Sequence, residues 1–387
     1  MPPADDPADS ASRIRPGGGR GQNPVGGLAR GTAAEIFDPA ALRHLAEDRC
    51  GRAIDLDPLA RDGLDHLARD LRQASPGLSY LGRKLLQQGL IDRLVRRAEL
   101  AEGTGPCPPV SQPVFIVGPF RTGSTFLHRL LALDPQFRCP TATEVSVPPG
   151  FPDAGDERPE IRVARYLDHV TRLSPRLFRL HPVGADDPEE CFALLESSFL
   201  SPSFQFWAPV PGYMRWLLAR PEEDWDRAYD VHARLLSGIA SRRDRTTSPG
   251  PPPRWVLKSP FHLWGLAALM RRHPDALIVQ LSRPADQAMP STAALLEANR
   301  QVFARRDRVG TLAAEATEMM RAATSRAQEA HRAAPDRFLH IAFDDLTRAP
   351  VPTLRRIHDA LGLALDPEVA DRMSAAAASI GRTTSRS

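Results

Sequence analysis

The chain has 387 residues, 42% hydrophobic and 25% charged: enough for one large α/β domain or two small ones, and too apolar for a fully disordered polypeptide. A net charge of +3, from 50 Lys+Arg against 47 Asp+Glu, lacks the concentrated basic face that phosphate-tracking proteins need, so no nucleic-acid partner is expected. The four cysteines (Cys50, Cys107, Cys139, Cys191) show neither CxxC spacing nor the density of a disulfide framework. The start, Met1-Pro2-Pro3-Ala4-Asp5-Asp6, is acidic where a secretory leader is basic. No run approaches the ~18 apolar residues of a membrane span. A cytoplasmic protein without stable membrane insertion is expected. Proline, at 38, is about twice its usual share. Only two of the 50 basic residues are lysines, Lys84 and Lys258. Where arginine serves for diffuse charge, a surviving lysine marks a place that needs a compact ammonium.

Residues 1–33, rich in Gly, Pro, Ala, Asp and Arg, read as a disordered tail. From 34 to about 103 the apolar spacing is helical: Leu42, Leu45 and Ala46 share a face, as do Leu64, Leu67 and Leu71. A Pro/Gly-rich linker leads to the strand Val114–Val117, a glycine loop, and a helix over 124–133. Trp255–Leu257, Ala276–Leu281 and Phe338–Phe343 read as further strands, each followed by helical spacing. Such alternation predicts an α/β fold with a mostly parallel sheet flanked by helices over 113–370. The mainly helical stretch 158–242 is expected to cap the strand ends, and 377–387 to be a flexible tail.

The glycine loop carries the first chemistry. Gly118 and Gly123 enclose four residues and precede Ser124-Thr125. Backbone N–H groups of such a turn, aimed together with a helix N-terminus, cradle a phosphate. A nucleoside triphosphatase places Lys where Ser124 stands, reaching the β- and γ-phosphates. Here the basic group is Arg121, inside the loop, which suits a nucleotide with fewer phosphates.

The run Val114-Phe115-Ile116-Val117-Gly118-Pro119-Phe120-Arg121-Thr122-Gly123-Ser124-Thr125 resembles the 5′-phosphosulfate loop of sulfotransferases that use 3′-phosphoadenosine 5′-phosphosulfate (PAPS). It is most similar to the bacterial branch related to tyrosylprotein and carbohydrate sulfotransferases, which carries Arg at the place of Arg121. Two further segments resemble the same family. Leu257-Lys258-Ser259-Pro260 looks like the segment whose Lys faces the sulfuryl group, where positive charge is needed as the S–O bond breaks. Arg283, with Ser291 eight residues on, matches the pair that binds the 3′-phosphate. The segment departs from the family at Ser282, where His is usual, and at Pro284, where Asp is usual.

The resemblance implies a P-loop-like fold, PAPS as co-substrate, and no metal. It also implies phosphate contacts from Arg121, Thr122, Gly123, Ser124, Thr125, Arg283 and Ser291, with Lys258 and Arg121 stabilising charge on the leaving side. An acceptor hydroxyl must lose a proton as it attacks sulfur. Glu144 falls where related enzymes carry their catalytic Glu and is the expected base, with His181 and His262 as candidates facing the acceptor. Asp186, Asp187, Glu189 and Glu190 read as the first turn of a helix, where acids suit the dipole. The aromatic residues Phe199, Phe204, Phe206, Trp207, Tyr213 and Trp216 serve as core or as an acceptor wall. The expected reaction is in-line sulfuryl transfer to a hydroxyl of a small-molecule, glycoside or lipid acceptor. A P-loop small-molecule kinase and a non-catalytic nucleotide-binding relative are the alternatives. Neither acceptor identity nor oligomeric state is legible.

Overall fold

A computed structural model describes residues 32–102, 110–146, 158–244, 253–305 and 312–384. The tail expected at 1–33 lies almost wholly outside them, as does most of the linker before residue 113. Five strands form one parallel sheet: β1 (Val114–Val117), β2 (Phe137–Arg138), β3 (Arg254–Lys258), β4 (Leu277–Ser282) and β5 (Phe338–Ala342), in the order β2-β3-β1-β4-β5. From central β1 the chain builds outward on one side through β2 and β3. It then crosses to build β4 and β5 on the other. This reversal opens a crevice at the carboxyl ends of β1 and β4, the place where open α/β sheets bind ligands.

The N-terminal section comprises α1 (Ala33–Ile36), α2 (Pro39–Cys50), α3 (Pro58–Ala74) and α4 (Tyr80–Glu102). Its starts follow from local chemistry. Asp38 and Asp57 accept the N–H groups of Ala41 and Ala60 at 2.8 and 3.0 Å, each just before a first-turn proline. After β1 comes α5 (Ser124–Leu131), then α6 (Ala142–Ser146), α7 (Pro159–Leu173), α8 (Pro175–Leu180), α9 (Phe192–Glu196), α10 (Pro211–Leu218) and α11 (Glu222–Asp244). Beyond β3 lie a 3-10 turn (Pro260–Gly265) and α12 (Leu266–Arg272). Helices α13 (Ala285–Phe303) and α14 (Ala313–Ala333) follow β4, and α15 (Phe343–Arg348), α16 (Pro350–Ala360) and α17 (Pro367–Thr384) follow β5.

Alternation along the strands divides the core in two. Val114, Ile116, Val256, Val279, Leu281 and Ile341 face Leu127, Leu130 and Leu131 of α5, Leu354 and Ile357 of α16, and Met373 of α17. Phe115 points the other way, against the rings of His232, His262 and His273. The flexible tail expected from 377 is instead helical to Thr384: alanine favours helix there, and Met373 and Ala377 are buried in the first core. The residues beyond it, 385–387, lie outside the described set.

Candidate active site

The loop after β1 leaves the sheet at Gly118, whose φ of +148° places a missing Cβ 2.6 Å from the Leu281 carbonyl oxygen. Only a residue without a side chain fits there. Gly123, at φ +87°, then turns the chain into α5. Thr122 is fully buried and donates its hydroxyl to the Pro119 carbonyl at 2.8 Å, so its side chain braces the turn from within. The N–H groups of Gly123, Ser124 and Thr125 have no acceptor among the described residues. They form a set of convergent donors at a helix N-terminus, suited to an anion.

Arg121 holds a positive φ of +66° and projects from this loop. Its Nε donates to Ser291 Oγ at 2.9 Å and one terminal nitrogen to the Leu180 carbonyl at 2.9 Å. Arg283, immediately beyond β4, donates to the Arg121 carbonyl at 3.1 Å and lies over the Phe343 ring, 4.1 Å from its centre. Burial, and then the charge of Arg283, pull the Arg121 guanidinium below its ordinary pKa. Two cations converge here on neutral partners, an arrangement that an arriving anion relieves.

On the other side of β1, Lys258 ends β3. It is 1% exposed, and its Nζ donates to Thr125 Oγ1 at 3.1 Å and to Glu190 Oε1 at 2.5 Å. Glu190 also accepts from Ser259 Oγ at 3.4 Å. Glu189, one residue earlier, pairs with His181 Nε2 at 3.2 Å. Burial raises the Glu189 carboxyl, but His181 and Lys258 outweigh it and hold its pKa at about 2. A phenylalanine cluster borders the loop: Phe120 stacks on Phe206 and Phe261 at 5.1 and 5.3 Å between centroids, and Phe192 meets Phe261 at 5.6 Å.

A model of the sulfotransferase family matches residues 113–367, which spans the loop, Lys258, Arg283 and Ser291. The chain belongs to the sulfotransferase family. Among relatives, it is 26% identical over 292 residues to the omega-hydroxy-beta-dihydromenaquinone-9 sulfotransferase Stf3 of Mycobacterium bovis, covering 71% of this chain and 68% of that one. The solved structure of sulfotransferase STF1 from Mycobacterium tuberculosis superposes with a TM-score of 0.69 at 27% identity, covering 88% of this chain and 93% of that one. Sulfotransferase STF9 from Mycobacterium avium gives 0.71 at 23% identity, covering 87% of each chain, a likeness of fold.

Within this sulfotransferase, Arg121, Thr125, Lys258, Arg283 and Ser291 come together around the glycine loop. Two expected residues do not join them. Glu144 closes a turn with its own helix start: its carboxylate takes the Thr141 N–H at 2.8 Å and a bidentate pair from Arg243, both bonds 2.5 Å. These bonds leave it committed as cap and ion-pair partner. His262 is fully buried, with Nδ1 2.9 Å from Tyr229 Oη and Nε2 3.1 Å from Cys191 Sγ, so it faces protein on both edges. His181 does lie at the site, through Glu189.

The acids at 186–190 differ from their expected helical first turn. Residues 185–189 run irregularly alongside 140–143, with Ala142 and Thr143 donating to the carbonyls of Asp187 and Ala185, and α9 begins only at Phe192. That path delivers Glu190 to Lys258, a partnership the motif reading missed. The available signal was electrostatic: a lysine at a buried strand end requires a carboxylate nearby. Most of the aromatic group from Phe199 to Trp216 is core, with Phe204 packed on Trp207 and Tyr213. Phe206 alone of them touches the phenylalanines beside the loop.

Proposed function

We propose that this sulfotransferase moves a sulfuryl group from PAPS to the hydroxyl of an apolar, lipid-like acceptor. The observation that carries the reading is the meeting of Arg121, Arg283 and Ser291 beside a loop whose N–H groups are free for an anion. The residues present fit a nucleotide with phosphates at both ends: loop donors and Lys258 toward the 5′ side, Arg283 and Ser291 toward the 3′ side. When bound, PAPS supplies the activated sulfuryl group and a phosphate leaving group. Lys258, fixed by Thr125, places its ammonium where negative charge grows on the departing phosphate oxygen. Arg121 adds a second cation to that side. Glu190 is the carboxylate in contact with Lys258, and we assign it the acceptor proton, with His181 and Glu189 behind it. The new bond joins acceptor oxygen to sulfur, the bridging S–O bond breaks, and the acceptor proton passes to Glu190.

Phe120, Phe192, Phe206 and Phe261 supply an apolar surface next to the loop, which favours a lipid over a sugar acceptor. The name of Stf3, acting on a hydroxylated menaquinone, agrees with that preference. A kinase reading is disfavoured by Ser124 at the lysine position.

Calorimetric titration with 3′-phosphoadenosine 5′-phosphate tests the donor site. Wild type binds selectively over ATP, and Arg283→Ala abolishes the binding; equal affinity for ATP, or an unchanged Arg283→Ala, would refute the proposal.

A further inference from the structure

Behind Lys258, on the Phe115 side of the sheet, three fully buried side chains with metal-binding atoms meet: Cys191 just before α9, His232 on α11, and His262 in the 3-10 turn. Their ligand atoms all lie within 4.8 Å of one another. Cys191 Sγ is 3.1 Å from His262 Nε2, and the other nitrogen of that ring lies 2.9 Å from Tyr229 Oη. Imidazoles that ligate metal are oriented this way, one nitrogen tied to an oxygen and the other aimed at the ion.

His232 supplies the independent sign. Its ring packs against Phe115, Tyr229 and His262, yet neither of its nitrogens has a hydrogen-bond partner. A buried polar atom without a partner costs on the order of 1–3 kcal/mol. A simple thiol–imidazole hydrogen bond between Cys191 and His262 gives His232 no task. A thiolate with two imidazoles is a borderline-soft donor set, matched to zinc rather than to magnesium or calcium.

We propose that Cys191, His232 and His262 bind one divalent transition-metal ion, zinc in the first instance, as a structural site. Binding forms one metal–sulfur and two metal–nitrogen bonds. The Cys191 proton leaves to solvent, and the two imidazoles stay neutral. Tetrahedral zinc spans roughly 3.3–3.8 Å between donor atoms. The cluster therefore closes by about 1 Å, within reach of a rotation of the His232 ring, and one coordination position remains for water. The site anchors the active-site wall, because the Cys191 N–H donates to the Lys258 carbonyl at 3.2 Å and Glu190 is its neighbour in sequence.

The test is elemental analysis of the full chain expressed with zinc and purified without chelator, followed by cobalt(II) substitution. The expected result is about one zinc per chain, and in the cobalt form a sulfur-to-cobalt charge-transfer band. Cys191→Ser and His232→Gln lose the metal, while Cys50→Ser and Cys139→Ser retain it. Absence of stoichiometric metal from wild type, a cobalt form without the sulfur band, or a Cys191→Ser protein that keeps its zinc overturns the site. Should Cys191→Ser fail to fold, X-ray absorption of wild-type zinc decides. One sulfur with imidazole nitrogens sustains the proposal, and a shell without sulfur ends it. None of these readouts depends on sulfuryl transfer.

Discussion

Glu144 and Glu190 show how far a motif carries and where packing takes over. Both are acids downstream of the glycine loop, and sequence position favours Glu144. Its side chain, however, serves Arg243 and the Thr141 N–H, whereas Glu190 lies on Lys258. Glu190→Gln is expected to lower kcat by about 10²–10⁴-fold, the usual worth of a general base, with binding of the desulfated nucleotide retained. Glu144→Gln should lower the melting temperature, since Arg243 loses its charged partner, and leave kcat within a few fold. Steady-state kinetics beside thermal unfolding separate the two, and the reverse pattern would return the base to Glu144. The cations were legible because their motifs specify a strand end and a loop. The carboxylate was not, because its place depends on an irregular chain path.

At the scale of elements, strands with four or more consecutive apolar residues could be read directly, and β3 could be read from the three apolar residues before Lys258. The sequence reading omitted β2, because two residues, Phe137 and Arg138, carry no periodicity; they pair only because Arg254 and Trp255 lie alongside. Helix starts were legible where a cap precedes a proline, as at Asp57-Pro58. There the carboxylate does two tasks, capping α3 through Ala60 and pairing with the nearly buried Arg97 of α4. Burial raises the Asp57 pKa, but the Ala60 N–H and Arg97 outweigh it and hold the carboxyl below its ordinary value. Asp57→Ala should cost about 1 kcal/mol for the cap, and more for the abandoned Arg97. Asp57→Asn should recover only the cap. Urea denaturation of the three proteins checks this; equal midpoints for the Ala and Asn variants would remove the cap from the account.

Taken whole, the molecule places three sequence-distant cations at the carboxyl ends of adjacent strands, because the order β3-β1-β4 brings Lys258, Arg121 and Arg283 side by side. The alternating pattern announced a parallel sheet but not this order, which depends on the chain crossing from β3 past β1 to β4. The same close packing makes the protein sensitive to acid. His128 of α5 is fully buried beneath the loop, its Nε2 3.3 Å from the Val256 carbonyl. Burial, with Lys258 second, lowers its pKa to about 3. Below pH ~6.5 the unfolded chain takes up a proton at this ring that the native chain refuses until about pH 3. The native advantage is therefore intact above that window. It declines by about 1.4 kcal/mol per pH unit as pH falls through it. Denaturation of wild type and His128→Gln from pH 7 to 4.5 should show wild type the steeper by that slope, and parallel curves would refute the assignment.

The scarcity of lysine has a practical side. Lys84 and Lys258 are 3% and 1% exposed, so the folded surface offers reagents that acylate amines almost no side chain to attack. Modification of Lys258 then requires the contact with Glu190 and Thr125 to part and the wall around it to open. The rate at which an acyl label enters that position is a clock for the breathing of the active site, read by mass spectrometry on the unaltered chain and slowed by whatever occupies the crevice.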